Sequence, residues 1–227
     1  MNEQLILDLA QPEPPTFANF VAGANREAVA ALRALAAGGS RETGVLLWGA
    51  GGAGKSHLLR AAATAAQGTR TVIYCASPRD VPVATPDTFA LLVVDAIDAA
   101  DAFEQGRLFT QLNALAAGHG QWLAAATLPP ARLALREDLR TRLALGLVFE
   151  VTPLADADKP QALAAYARER GFSLSDDAIG YLLAHGRRDM PSLVAALAAL
   201  DRHSLATRRT VTVPLLREWL QRDLNLR

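Results

Sequence analysis

Val45-Leu46-Leu47-Trp48-Gly49-Ala50-Gly51-Gly52-Ala53-Gly54-Lys55-Ser56 is the stretch on which the fold of this chain turns. An apolar run with the character of a buried strand leads into G-x-x-x-x-G-K-S. His57-Leu58-Leu59-Arg60-Ala61-Ala62-Ala63 follows with helical spacing. Strand, glycine loop and helix start are the setting that a phosphate-binding loop requires. Gly49, Gly51, Gly52 and Gly54 let successive backbone N–H groups, that of Ala53 among them, converge on phosphate oxygens. The helix N-terminus adds positive potential. Lys55 is expected to reach the β- and γ-phosphates, Ser56 to hold Mg²⁺, and His57 to complete the nucleotide-binding set. The plain alternative is a flexible glycine turn, and the complete pattern in this setting argues against it.

Composition bounds the rest. A chain of 227 residues allows one large or two small domains, and a 51% hydrophobic share supports a sizeable core. Formal net charge is zero, so the basic footprint of a non-specific DNA binder is missing. Lys55 and Lys159 are the only lysines, which directs attention to particular arginines. Cys75, the single cysteine, cannot form an internal disulfide, suits a reducing cytosol and reads as a buried small side chain. No apolar run approaches the ~18 residues of a membrane span, and the N-terminus lacks a basic segment followed by an apolar core. A cytoplasmic protein is therefore expected. His57, His119, His185 and His203 are scattered, and no metal or acid–base role is assigned to them.

Strands are expected at Gly44–Trp48, Arg70–Cys75, Phe89–Asp95, Gln121–Ala126 and Leu147–Val151. Helices are expected at Asn25–Ala37, Lys55–Ala66 and Phe103–Ala117. This alternation predicts an α/β domain with a parallel sheet. Beyond Asp156 the pattern is helical, at Asp158–Arg170, Asp176–His185, Met190–Ser204 and Val213–Asp223. The expected organisation is a tail and Pro-rich linker over 1–15, a nucleotide-binding domain over 16–152 and a helical domain over 153–227. Ala90–Val94 is an apolar strand leading into Asp95, the position from which an acid holds Mg²⁺ through water. The following position, where active ATPases of this type carry a second acid, is Ala96. Asp98 either substitutes for that acid or caps the next turn. Slow intrinsic hydrolysis is expected.

A phosphate loop, a strand ending in Asp95, an arginine region and a helical tail resemble an AAA+ module. Thr16-Phe17-Ala18-Asn19-Phe20-Val21-Ala22-Gly23-Ala24-Asn25 is similar to the T-F-x-N-F-x-x-G-x-N segment of the bacterial initiator DnaA. Leu112-Asn113-Ala114-Leu115 and the stretch from Gln121 to Pro129-Pro130 are similar to DnaA as well. Several later segments resemble, in order and spacing, the Hda family of regulatory inactivators of DnaA. They are Asp138-Leu139-Arg140-Thr141-Arg142-Leu143, Pro153 to Lys159, Arg170-Gly171-Phe172, Arg188-Asp189-Met190 and Leu200-Asp201-Arg202. That family is a DnaA-like ATPase module without the DNA-binding domain, and the resemblance runs over nearly the whole chain.

The resemblance implies an AAA+ P-loop NTPase core followed by a small all-α lid. It implies ADP or ATP with Mg²⁺ as cofactors, and Phe17 and Phe20 beside the adenine. Thr127 falls at the polar sensor position, where it bonds a phosphate or water or is an ordinary strand-end Thr. Pro191 stands where the lid usually supplies a sensor arginine, with Arg187 and Arg188 as nearby substitutes. Arg142 matches the arginine finger presented to a neighbour's γ-phosphate, with Arg140 as the alternative. Gln4-Leu5-Ile6-Leu7-Asp8-Leu9 matches the Q-L-x-L-x-L peptide by which proteins bind the bacterial sliding clamp. In an extended peptide Leu5, Leu7 and Leu9 share one side and Gln4 bonds the pocket mouth. A leucine tail docked on its own domain is the alternative. The implied partners are DnaA, the sliding clamp, DNA indirectly through the clamp, and a possible homo-oligomer. The implied function is negative regulation of replication initiation through hydrolysis of DnaA-bound ATP. The competing reading is an ATPase with its own turnover, as a helicase loader or remodelling factor.

Overall fold

The computed structural model describes residues 14–84, 90–186, 189–207 and 213–217. They form two compact units that divide between Leu154 and Ala155.

The first unit is built on a five-stranded parallel sheet: β1 Gly44–Trp48, β2 Val72–Cys75, β3 Leu91–Val94, β4 Gln121–Ala126 and β5 Leu147–Glu150. The strand order is β2-β3-β4-β1-β5. Helices α1 Arg26–Ala36, α2 Lys55–Ala66, α3 Ala102–Ala117 and α4 Glu137–Ala144 complete it. The strands read as continuous apolar runs because both sheet faces are covered. Successive side chains alternate between the two faces. Leu47, Leu91, Val93 and Leu123 join one core with Leu32, Leu35, Leu58 and Leu59 of α1 and α2. Leu46, Leu92, Val94 and Trp122 join the other with Leu108, Leu112, Leu115, Leu139 and Leu143 of α3 and α4. The Trp122 indole fills space left by two glycines. A Cβ on Gly44 would lie 2.2 Å from its ring and one on Gly146 2.8 Å from it.

The parallel α/β sheet expected from the alternation is the sheet observed. β1 and β4 have the expected bounds, while β2 begins two residues late. Arg70 instead bonds the Gln121 side chain (2.6 Å) at the start of β4 and the Leu35 carbonyl of α1. Helix α3 starts on a reciprocal cap. The Asp101 carboxylate accepts from Glu104 N (2.8 Å), and the Glu104 carboxylate accepts from Asp101 N (2.9 Å). Helix α4 was not among the helices expected from periodicity. Its eight residues have two fully buried anchors, Leu139 and Leu143, one helical turn apart.

The second unit contains α5 Lys159–Glu169, α6 Asp176–His185 and α7 Met190–Thr207. Ser175 caps α6, its hydroxyl accepting from Ala178 N at 3.2 Å. Leu163, Ile179, Leu182, Leu193, Leu197, Leu200 and Leu216 form its core. Arg170 Nε donates to the Asp201 carboxylate at 3.2 Å on the flank of that core. Residues 213–217 are helical. The rest of the helix expected to Asp223, the clamp-type peptide Gln4–Leu9, and Arg187 and Arg188 lie outside the described residues.

Candidate functional site

The phosphate loop leaves β1, which lies between β4 and β5, so it emerges beside the ends of the strands that carry Thr127 and Val151. Gly49, Gly52 and Gly54 have φ of 147°, 77° and 100°, a region closed to most side chains. The back of the loop is packed. A Cβ on Gly49 would lie 2.3 Å from the Val151 carbonyl oxygen, and one on Gly54 2.7 Å from the Phe20 ring. The front is open, since a Cβ on Gly51 or Gly52 would meet nothing within 4 Å. Lys55 Nζ donates into the loop's own carbonyls, to Gly49 O at 2.7 Å and Ala50 O at 2.8 Å. Burial lowers the Lys55 pKa, and the carboxylates of Asp95 and Asp98 partly offset this. Ser56 is exposed in the first turn of α2. An open concavity, a lysine satisfied only by carbonyls and a helix N-terminus together fit a polyphosphate.

The Thr16–Asn25 segment is laid against this loop. Thr16 and Asn19 bond each other's backbone amides through their side chains, at 2.8 and 3.2 Å. His57 Nε2 donates to the Thr16 carbonyl at 2.9 Å, which fixes the tautomer. Burial lowers the His57 pKa, against the opposing effect of that bond. The Phe20 ring centroid is 5.4 Å from that of His57. The structure therefore brings Phe20 and His57 to Gly54. Phe17 is directed to α1, where the Arg33 guanidinium lies 5.3 Å from its ring centroid. Asn25, which sequence reasoning assigned no role, is buried and clasps Thr152. It donates to Thr152 O and accepts from Thr152 N, each at 2.9 Å.

At the same edge of the sheet, Asp95 follows β3 and its Oδ1 accepts from Ala96 N at 2.9 Å. Ala96 has φ of 49°, a left-handed conformation unusual for alanine. Asp98 does not cap its own turn. Its Oδ2 accepts from Thr127 N at 2.9 Å and from the Thr127 hydroxyl. The Thr127 hydroxyl is thus bonded to a carboxylate, an arrangement not expected from the sequence. Among the described residues, no group of three or more His, Cys, Asp or Glu could hold a metal ion. The Ser56 hydroxyl and Asp95 offer only hard oxygen donors, a set that suits Mg²⁺ held jointly with substrate phosphates.

Arg142 lies in the last turn of α4, and its guanidinium donates to Asn113 Oδ1 of α3. Burial of Leu139 and Leu143 sets the rotation of α4. Arg140 and Arg142 are then roughly 200° apart around the helix axis. Arg142, not Arg140, lines an open cleft of about 620 Å³ together with Phe109, Arg136, Glu137, Asp138, Thr141 and Leu145. Arg136 pairs with Asp138 at 2.8 Å, and Leu145 at the rim is 64% exposed.

Two family models match this chain: the bacterial DnaA ATPase domain over residues 12–79 and the Hda lid domain over residues 156–220. Domain III of the replication initiation protein DnaA from Thermotoga maritima superposes with a TM-score of 0.73 at 19% identity, covering 94% of this chain and 98% of that one. AMPPCP-bound DnaA from Aquifex aeolicus gives 0.69 at 23% identity, covering 85% and 66%. A mutant form of RuvB from Thermotoga maritima gives 0.64 at 17% identity, covering 94% and 74%. The fold is the α/β AAA+ fold, shared with DnaA domain III and RuvB. Within that fold the chain is similar to DnaA over residues 12–79 and to the Hda lid over residues 156–220. No helix among the described residues is long and apolar enough to cross a membrane.

Proposed function

We propose that this chain is a nucleotide-bound negative regulator of replication initiation that stimulates hydrolysis of ATP held by DnaA. The observation that carries the reading is Arg142 lining an open cleft in a DnaA-like module whose following residues match the Hda lid. The chain holds ADP or ATP in its own phosphate loop through Lys55, with Ser56 and Asp95 toward Mg²⁺. The bound nucleotide supplies structural support for the docking surface rather than rapid turnover, in keeping with Ala96. Arg142 is presented to the γ-phosphate on DnaA, where its charge offsets that developing in the transition state. Such fingers contribute about 10³–10⁵ in rate. Gln4, Leu5, Leu7 and Leu9 tether the chain to the DNA-loaded sliding clamp, raising its concentration near newly replicated DNA. In this reading the protein is cytoplasmic and reaches the nucleoid through the clamp.

The test is hydrolysis of radiolabelled ATP bound to DnaA, with and without clamp loaded on DNA. Conversion to ADP that requires the clamp and is lost in Gln4→Ala and in Arg142→Ala is expected. No conversion under any condition would remove this reading. The competing reading, a helicase loader or remodelling ATPase, draws support from Lys55 and from the Asp98–Thr127 contact at the nucleotide edge. Rapid intrinsic turnover without DnaA would favour it.

A further inference from the structure

From Asp95 to the first turn of α3 the chain carries four acids, and their partners separate them. Asp95 follows β3, with Oδ1 on the amide of Ala96. Asp101 and Glu104 are committed to the reciprocal cap of α3, and Glu104 also lies 3.6 Å from Arg79 Nε. Asp98 alone is tied to the neighbouring strand. Thr127 N and Oγ1 both donate to its Oδ2, which joins the turn after β3 to the end of β4. β4 is the strand next to β1 and its phosphate loop. The position directly after Asp95 is a methyl group on a left-handed backbone, with nothing to offer a water.

We propose that Asp98, held by Thr127, is the carboxylate that aligns the attacking water in this chain's own slow ATP hydrolysis, replacing the acid absent at Ala96. The inference rests on the reading of the phosphate loop as a nucleotide site. With both Thr127 donors on Oδ2, the lone pairs of Oδ1 remain to accept a hydrogen bond from water. The water oxygen bonds to the γ-phosphorus of ATP. The bond from that phosphorus to the bridging oxygen breaks, and its electron pair stays on ADP. The proton lost by the water ends on the released phosphate, so Asp98 orients the water without keeping a proton. Thr127 is a positioning residue, because it fixes the carboxylate and need not touch the nucleotide.

The test uses the full chain and two readouts: single-turnover hydrolysis of ATP, and equilibrium binding of ADP with and without aluminium fluoride. Asp98→Asn and Asp98→Ala should slow hydrolysis about 10²-fold, the lower end for loss of a positioned side chain that bonds the reacting water. Both should bind ADP like the wild type while losing the tighter binding that aluminium fluoride confers. Thr127→Val should lose part of the rate and Thr127→Ser should restore it, which a role confined to folding would not produce. Hydrolysis and aluminium fluoride binding unchanged in Asp98→Asn would overturn the proposal. So would a wild type that hydrolyses no ATP in a single turnover. Unimpaired ADP binding by Lys55→Ala would instead overturn the nucleotide-site reading itself.

Discussion

Two glycines in one loop have opposite surroundings, and alanine at each should fail in a different assay. Gly49 has φ of 147°, and a Cβ there would lie 2.3 Å from the backbone oxygen of Val151. The conformation costs an alanine about 1–3 kcal/mol. The clash adds to this, because the obstacle is backbone just after β5, held to β1 by Val151 N donating to Trp48 O at 2.7 Å, and cannot rotate away. A total of about 3 kcal/mol is expected for Gly49→Ala, which at ordinary denaturant sensitivities lowers the urea midpoint by about 1–2 M. Gly51 has neither constraint: its φ is not in the left-handed region, and a Cβ there meets nothing within 4 Å. Gly51→Ala should leave the urea midpoint within the range of a neutral surface change, about ±0.5 kcal/mol. Its methyl would instead stand in the open front of the loop, where phosphate oxygens must approach the backbone amides. ADP binding by calorimetry should therefore be lost in Gly51→Ala while its fold is intact. Equal destabilisation by the two variants, or full ADP affinity in Gly51→Ala, would refute this account of the loop.

Trp122→Ala should cost about 3–5 kcal/mol in urea unfolding, because the indole is buried and two glycines are shaped around it. His57 has a pKa lowered by burial, so the unfolded chain binds its proton more readily than the native one. Its contribution to stability is full above the unfolded pKa of about 6.5 and is lost as pH falls below it. Denaturation midpoints at pH 7.5 and 5.5 should fall less in His57→Gln than in the wild type. Cys75 is fully buried and burial pushes its thiol up to about 11, so a thiol reagent should label it only after unfolding. Rapid labelling of the native chain would contradict its place in the core.

What the sequence made legible follows from how local each signal is. The phosphate loop is a contiguous pattern, and its glycines are dictated by a backbone that any reader of the motif can anticipate. β1 and β4 declare themselves because burial on both faces leaves no polar alternation to blur them. Helix α4 does not, since two buried leucines in eight residues make too short a period. The pairings within the site were hidden for a different reason. Asp98 with Thr127, and Arg142 with Asn113, each join residues 29 positions apart, and only the order of the strands and the packing of α3 on α4 decide that they meet. Pro191 and the lysines are visible as letters, whereas the partner of the Thr127 hydroxyl is not.

The clasp between Asn25 and Thr152 sets a timetable for synthesis. The two residues are 127 positions apart, and β1, made early, pairs with strands made late. At roughly 5–20 residues per second, about 6–25 s pass between the emergence of Asn25 and that of its partner. For most of that interval, until β4 is made, the phosphate loop hangs from an apolar strand whose partners do not yet exist. The loop therefore gains its supporting strand only with β4, and the clasp that holds the Thr16–Asn25 segment only after β5.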